Sequence, residues 1–253
     1  MSKVILVSID GMRPDGFERC GSACVETLKS SCAYTLRGSS VTPSVTLPCH
    51  MTMFHGVVPE RHGITSNMYV PQVRPVEGLC ERLRAAGKTC AFFYNWQELR
   101  DLTRPDSLSH SVFYNLHQTE NADAAVADAA VRYITENQPD FAFVYLGETD
   151  EAGHRYGWMS PQYLDCIARA LGHVCRLMRE AEDYTVIVTA DHGGHGRMHG
   201  TDMPEDMQIP MFVRGKGYAV GETLKDVGIL DLAKTIASVL GVEPSPDWEG
   251  KTL

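Results

Sequence analysis

The sequence predicts an α/β fold: one mainly parallel central sheet with helices on both faces. Short, β-branched, mostly apolar runs recur along the 253 residues, and amphipathic helical patterns fall between them. Strands that alternate with helices pair in parallel and are covered on both sides. No repeat, low-complexity tract or linker divides the chain, so a single domain over residues 1–253 is the simplest organisation, long enough to bury a sizeable core.

In chain order, VILVS (4–8) is the first strand, followed by CAFFY (90–94), FAFVYL (141–146), TVIVTA (185–190) and, after Pro210, MFV (211–213). VEGLCERLRAAG (76–87) reads as a helix closed by Gly87. Residues 121–137 place Ala122, Val126, Ala130, Tyr133 and Ile134 on one stripe. Ser160 and Pro161 form an N-cap and first-turn pair for a helix through Met178, with Ile167, Ala170, Leu171 and Val174 facing inward. A last helix spans roughly 227–240 and stops at Gly241, whereas 95–120 is irregular and reads as a small excursion from the sheet.

Composition narrows the function. Apolar residues at 43% and charged residues at 22% are ordinary globular values. A formal charge of −9 argues against a nucleic-acid polymer or an anionic membrane as the main partner. It leaves room for a small phosphorylated substrate if a metal supplies the positive charge. Eight cysteines are irregularly spaced with no CxxC, which leaves a zinc ribbon or thioredoxin motif unsupported. MSKVILVSIDGM lacks a signal-peptide cleavage pattern, and no apolar stretch approaches the ~20 residues of a membrane span, so a reducing cytoplasm is expected.

The chemistry gathers at strand ends. Asp10 follows the first strand, Asp191 and His192 follow the 185–190 strand, and Asp150 lies just past 141–146 with His154 four residues later. That spacing puts Asp150 and His154 on one face of a helical turn. Three strands thus deliver acids and imidazoles to the carboxyl edge, where open α/β sheets place their ligands. Taken singly, Asp10 is a helix cap, Asp191-His192 a turn and His154 a solvated surface residue. Together the acids would repel one another unless divalent cations joined them, and a mixed Asp/His set suits zinc, manganese or iron better than calcium. His199, in RMHGTD, is near enough in sequence to join, and His195, in GGHG, is a rival for that role.

Four segments carry a resemblance: SIDGMRPD, TPSVTLPCHMTMFHGVVPERHGITSN, ETDEAGHRYG and TADHGGHGRMHGTD, in this order between residues 8 and 202. With the closing ILDLAKTIASVLGV they resemble the alkaline phosphatase superfamily, in its nucleotide pyrophosphatase/phosphodiesterase-like branch. The resemblance implies a three-layer sandwich and two divalent transition-metal ions, zinc with manganese as the alternative. One site would use Asp150, His154 and His199; the other Asp10, Asp191 and His192 together with a nucleophile, Thr46. Asn67 would hydrogen-bond a phosphate oxygen. Cys49 stands where many phosphodiesterases have Asn, and His50 beside it is expected to pack beneath the nucleophile. Arg13 is expected to pair with Asp15, and Tyr156 to be a pocket wall.

The chemistry then expected is cleavage of a phosphodiester or pyrophosphate bond through a phospho-threonine intermediate, with the metals activating a hydroxyl that is a poor nucleophile on its own. A phosphomonoesterase or phosphonate hydrolase is the alternative on the same scaffold. A sulfatase is disfavoured because no CxPxR or SxPxR motif surrounds Thr46, and a non-catalytic relative is disfavoured by the intact ligand set.

Overall fold

The computed structural model describes residues 2–253, organised on a seven-stranded sheet. Its strands are β1 (Val4–Ile9), β2 (Ala33–Ser39), β3 (Cys90–Tyr94), β4 (His110–Phe113), β5 (Phe141–Leu146), β6 (Thr185–Thr189) and β7 (Gln208–Arg214). Their spatial order is β2-β7-β6-β1-β5-β3-β4. The four strands β6, β1, β5 and β3 are consecutive parallel neighbours, and β4 continues the parallel set at one edge. β7 runs antiparallel to both β6 and β2. The central strands are buried at every position, which is why they read as unbroken apolar runs.

Among the described residues, ten α-helices flank the sheet: α1 (Pro14–Arg19), α2 (Cys24–Ser31), α3 (Thr46–His55), α4 (Pro59–His62), α5 (Leu79–Ala85), α6 (Ala122–Asn137), α7 (Glu148–Tyr156), α8 (Pro161–Glu180), α9 (Pro204–Met207) and α10 (Leu232–Val239). α8 packs with α1, α2, α6 and α7, while α3 packs with α4, α5 and α10 on the other side of the sheet. α3 is bound to the sheet by aromatic edges, with Phe54 against Phe92 and Phe143 at centroid distances of 5.2 and 4.9 Å. α8 is capped as its sequence predicts: the Ser160 hydroxyl accepts from the Tyr163 N–H.

The structure departs from the sequence reading at the margins. β2 and β4 lie where no strand is expected. β2 reads AYTLRGS, is only half buried, and shifts register between Thr35 and Gly38, so its alternation is blurred. β4 is four residues inside the irregular 95–120 stretch. The helix expected over 76–87 begins at Leu79, because Gly78 keeps an extended conformation at its N-cap. The last helix is a 3₁₀ turn (Ile229–Asp231) followed by α10. No helix among the described residues is long and apolar enough to cross a membrane.

Register is what positions the chemistry. β1 pairs Ile9 with Leu146 on one side and Ser8 with Thr189 on the other, so the three strands end level. Asp10, the turn into α7, and Asp191 therefore emerge side by side.

Candidate active site

The turn after β1 is tight. Gly11 adopts φ +67, and a Cβ there would lie 3.1 Å from the Asp150 carboxylate, so Gly11 lets Asp10 and Asp150 approach. Its carbonyl accepts from Trp158 Nε1 (3.0 Å) and from the Tyr163 hydroxyl (2.8 Å), which ties α7 and α8 to the end of β1. Thr46 is the first residue of α3, buried at 3% exposure, so its hydroxyl sits at a helix N-terminus.

The expected ligands converge. His192 Nε2 lies 3.2 Å from Thr46 Oγ, 3.3 Å from Asp10 Oδ1 and 3.3 Å from Asp191 Oδ2. Asp150 faces His154 Nε2 at 3.4 Å with one oxygen and His199 Nε2 at 3.7 Å with the other. Potential ligand atoms of Asp150, His154 and His199 fall within 4.8 Å of one another, as do those of Asp10, Asp150 and His192. Asp150 thus stands between the two groups, a shared position the sequence did not suggest. His195 is elsewhere: its Nδ1 is 2.7 Å from Asp206 Oδ1, and Asp206 also accepts from the Thr201 hydroxyl and N–H.

Two observations show that this donor set fits divalent cations. First, each candidate histidine places Nδ1 against a backbone carbonyl: His192 on Gly193 (2.7 Å), His199 on Ser44 (2.8 Å) and His154 on Arg197 (3.0 Å). A carbonyl only accepts, so Nδ1 carries the proton and Nε2 turns to the cluster, the arrangement seen in metal-binding imidazoles. Second, Asp10 Oδ1, Asp150 Oδ1 and Asp191 Oδ2 are buried oxygens without a hydrogen-bond partner among the described residues. Buried carboxylate oxygens left bare are costly, and divalent cations held among them would satisfy all three.

The electrostatics agree. Burial, and then the charges of Asp191 and Asp150, push the Asp10 carboxyl well above the usual range. Burial pushes Asp191 up to about 7. Asp150 is held low against the effect of its burial by the His154 hydrogen bond and the nearby His192 and His199 rings. The same bond to Asp150 raises His154 to about 9, while burial lowers His199 to about 4. Acids pushed up by one another mark a place built for positive charge.

Supporting groups lie beneath. His50 is fully buried and lowered to about 3 by that burial, so its ring is neutral. Nδ1–H donates to the Thr46 carbonyl (2.8 Å), and Nε2 accepts from the Ser8 hydroxyl (3.0 Å), which pins the start of α3 to β1. Cys49 is buried against the Ser40 hydroxyl. Arg13 pairs with Asp15 at 2.7 Å. Asn67 Oδ1 accepts from the Leu47 N–H (3.0 Å), so its amide N–H₂ is the end left to donate.

Sequence reasoning missed Tyr145, Trp96 and His117. Tyr145, in β5, donates its hydroxyl to Asp10 Oδ2 and so orients the bare Oδ1. A lone tyrosine near the end of an apolar strand was the available signal. Trp96 and His117 come from the irregular 95–120 stretch and line a pocket of ≈ 210 Å³ together with Asp10, Thr46, Asn67 and Asp150. A larger cavity of ≈ 500 Å³ between residues 60–63 and 70–74 holds none of the cluster.

The profile described as type I phosphodiesterase / nucleotide pyrophosphatase matches residues 4–202. The chain is 26% identical over 227 residues to ectonucleotide pyrophosphatase/phosphodiesterase family member 7 of Rattus norvegicus, covering 76% of this chain and 49% of that protein. It is 25% identical over 213 residues to family member 1 of Homo sapiens, covering 75% and 23%. The chain thus spans half or less of the length of these curated relatives. Among solved structures it is similar to murine ectonucleotide pyrophosphatase / phosphodiesterase 5, an inactive threonine-to-alanine variant in complex with AMP. That similarity has a TM-score of 0.83 at 16% identity and covers 97% and 96% of the two chains. It is also similar to the phosphonate monoester hydrolase of Agrobacterium radiobacter, with a TM-score of 0.79 at 16% identity and coverage of 100% and 76%.

Proposed function

This chain belongs to the type I phosphodiesterase / nucleotide pyrophosphatase family, and from that premise we propose that it is a metal-dependent hydrolase of phosphodiester or pyrophosphate bonds in small substrates, acting through Thr46. The observation that carries the proposal is the clustering of three imidazole Nε2 atoms with three bare carboxylate oxygens, one of those imidazoles, His192, lying 3.2 Å from Thr46 Oγ. Asp150, His154 and His199 would hold one ion; Asp10, Asp191 and His192, with Thr46, the other. An Asp/His set of this kind favours zinc, with manganese next. When bound, the ions supply Lewis acidity and countercharge for the phosphoryl oxygens and for the hydroxyl.

The chain's own groups do the rest. His50 and the helix start fix Thr46 Oγ in place. Thr46 Oγ bonds to phosphorus as the bond to the leaving oxygen breaks, and water then hydrolyses the phospho-threonine. Asn67 donates from its amide nitrogen to a phosphoryl oxygen, a neutral donor aimed at developing charge.

The test is the metal-loaded protein on aryl phosphate diesters, monoesters and phosphonate esters in parallel, with acid quenching of a labelled substrate. Diesters should turn over fastest, and label should be trapped on residue 46. Thr46→Ala should keep its fold and lose turnover by several powers of ten, as when other covalent nucleophiles are removed, and Thr46→Ser should keep part of it. Near-normal turnover by Thr46→Ala would show that water attacks directly. Fastest turnover of a monoester or phosphonate would reassign the substrate class.

A further inference from the structure

Trp158 stands between α7 and α8, 7% exposed, and it meets each segment that builds the Asp150, His154 and His199 group. Its Nε1–H donates to the Gly11 carbonyl (3.0 Å) at the end of β1. Its backbone N–H donates to the Gly196 carbonyl (2.9 Å), in the loop that carries His199. The ring fills space that side chains at Gly153 and Gly194 would need: a Cβ at Gly153 would lie 2.7 Å from the indole, and one at Gly194 closer still. These glycines, one on α7 and one after β6, thus form a slot for the indole. Left-handed backbone flanks it, with Gly157 at φ +98 and Met159 at φ +66. Met159 is no glycine, and such a conformation persists where the surroundings fix it.

What the ring faces is specific. It meets the His154 ring at a centroid distance of 5.1 Å and an angle of 86°, and the His199 ring at 5.9 Å and 62°. Among the described residues no ring contact of this kind joins it to His192. Each of the two imidazoles has one hydrogen bond, from Nδ1 to a backbone carbonyl. One bond fixes the tautomer but lets the ring swing about that nitrogen, so Nε2 keeps its aim only if something bounds the ring. His199 has His192 stacked on it as well. His154 depends on Trp158 most, because its side chain is 43% exposed, whereas that of His192 is fully buried.

We propose that Trp158 is a positioning residue for the ion held by Asp150, His154 and His199, and that its indole sets the affinity of that ion while leaving the other alone. The inference rests on the two-ion reading above and goes one layer outward from it. A wall that aims two ligand nitrogens at once makes binding depend on the ring itself as well as on the ligands.

In the test, metal-free protein is titrated with zinc against a chromophoric chelator, which gives a Kd for each of two ions. Trp158→Leu should weaken one ion by roughly 10–100-fold, the usual effect of losing a group that orients a metal ligand, and leave the other within about threefold. Trp158→Phe keeps a ring in the slot and should recover most of that loss. In a His199→Ala background, where the same ion has already lost a ligand, Trp158→Leu should weaken the remaining ion by less than about twofold, since both changes act on one site. A measurement on the unmutated chain stands beside these. With fluorotryptophan incorporated, the fluorine resonance that Trp158→Phe lacks should shift with the ion that His199→Ala loses. Equal weakening of both ions, or a lowered Tm with both Kd values unchanged, would make Trp158 a packing residue and overturn the proposal. So would an indifferent fluorine resonance, which decides the matter if Trp158→Leu does not fold. Fewer than two zinc ions on the wild type would instead overturn the two-ion reading, and this role with it.

Discussion

His195 and His199 lie four residues apart, yet the structure gives them opposite surroundings. His199 is stacked on His192 at 3.9 Å and turns Nε2 to Asp150, whereas His195 is held by Asp206 in the wall of the loop. His199→Ala should therefore lose one of two bound ions after dialysis and nearly all turnover, because removing a ligand changes both charge and geometry. His195→Ala should keep both ions and pay only in loop stability. Metal content by mass spectrometry decides it, and the reverse ranking would move the ligand role to His195. In sequence both are histidines in glycine-rich surroundings; only the partner of Nδ1 separates them, a backbone carbonyl for one and a carboxylate for the other.

Between elements, the start of α6 and the start of α7 meet through Asp123. Its Oδ1 accepts from Asn95 Nδ2 (2.7 Å) and from the Glu148 N–H (3.3 Å). Burial, and then the Glu148 charge, push its carboxyl up to about 7. A carboxyl raised in the folded state stabilises fully below its unfolded value of about 3.9, and that contribution is lost as pH rises through about 7. Asp123→Asn should thus gain on wild type between pH 4 and pH 8, on the order of 4 kcal/mol at 1.36 kcal/mol per unit, read by denaturant unfolding. A constant difference across that range would mean that Asp123 is ionised in the native protein. The elements themselves were legible to different degrees. β1, β3, β5 and β6 are buried on both faces and announce themselves as apolar runs, and Ser160-Pro161 announces α8. β2 and β4 were hidden because edge strands carry mixed faces, as HSVF and AYTLRGS do. The walls supplied by Trp96 and His117 were hidden for a related reason: they stand on irregular backbone, where no period predicts direction.

For the whole molecule, the candidate ligands run from Asp10 to His199, so metal binding ties together segments that are far apart in the unfolded chain. An ion that binds only this arrangement stabilises the fold by mass action, about 2.7 kcal/mol at a hundredfold excess over Kd. For a chain of this size that raises Tm by roughly 5–10 °C, growing with the logarithm of metal concentration. Thermal scans with zinc, manganese and magnesium should show the largest rise for zinc. A Tm indifferent to all three, with chelator as the baseline, would mean that the cluster holds no ion.

β1 is the first strand in sequence but the middle one in space, between β5 and β6. During synthesis, VILVSI emerges with neither hydrogen-bonding edge occupied, and its neighbours follow only after residues 141 and 185. Long-range parallel pairing of this kind forms slowly and leaves a sticky intermediate exposed. The nascent chain therefore passes through a long stage in which its most apolar segment has no partner. A fragment ending at residue 180 would leave β1 open along one edge, and it should collect in inclusion bodies or on chaperones while the 253-residue chain stays soluble. Sedimentation of the two translation products side by side tests this, and a soluble, monomeric fragment would show that β1 is protected before β6 is made.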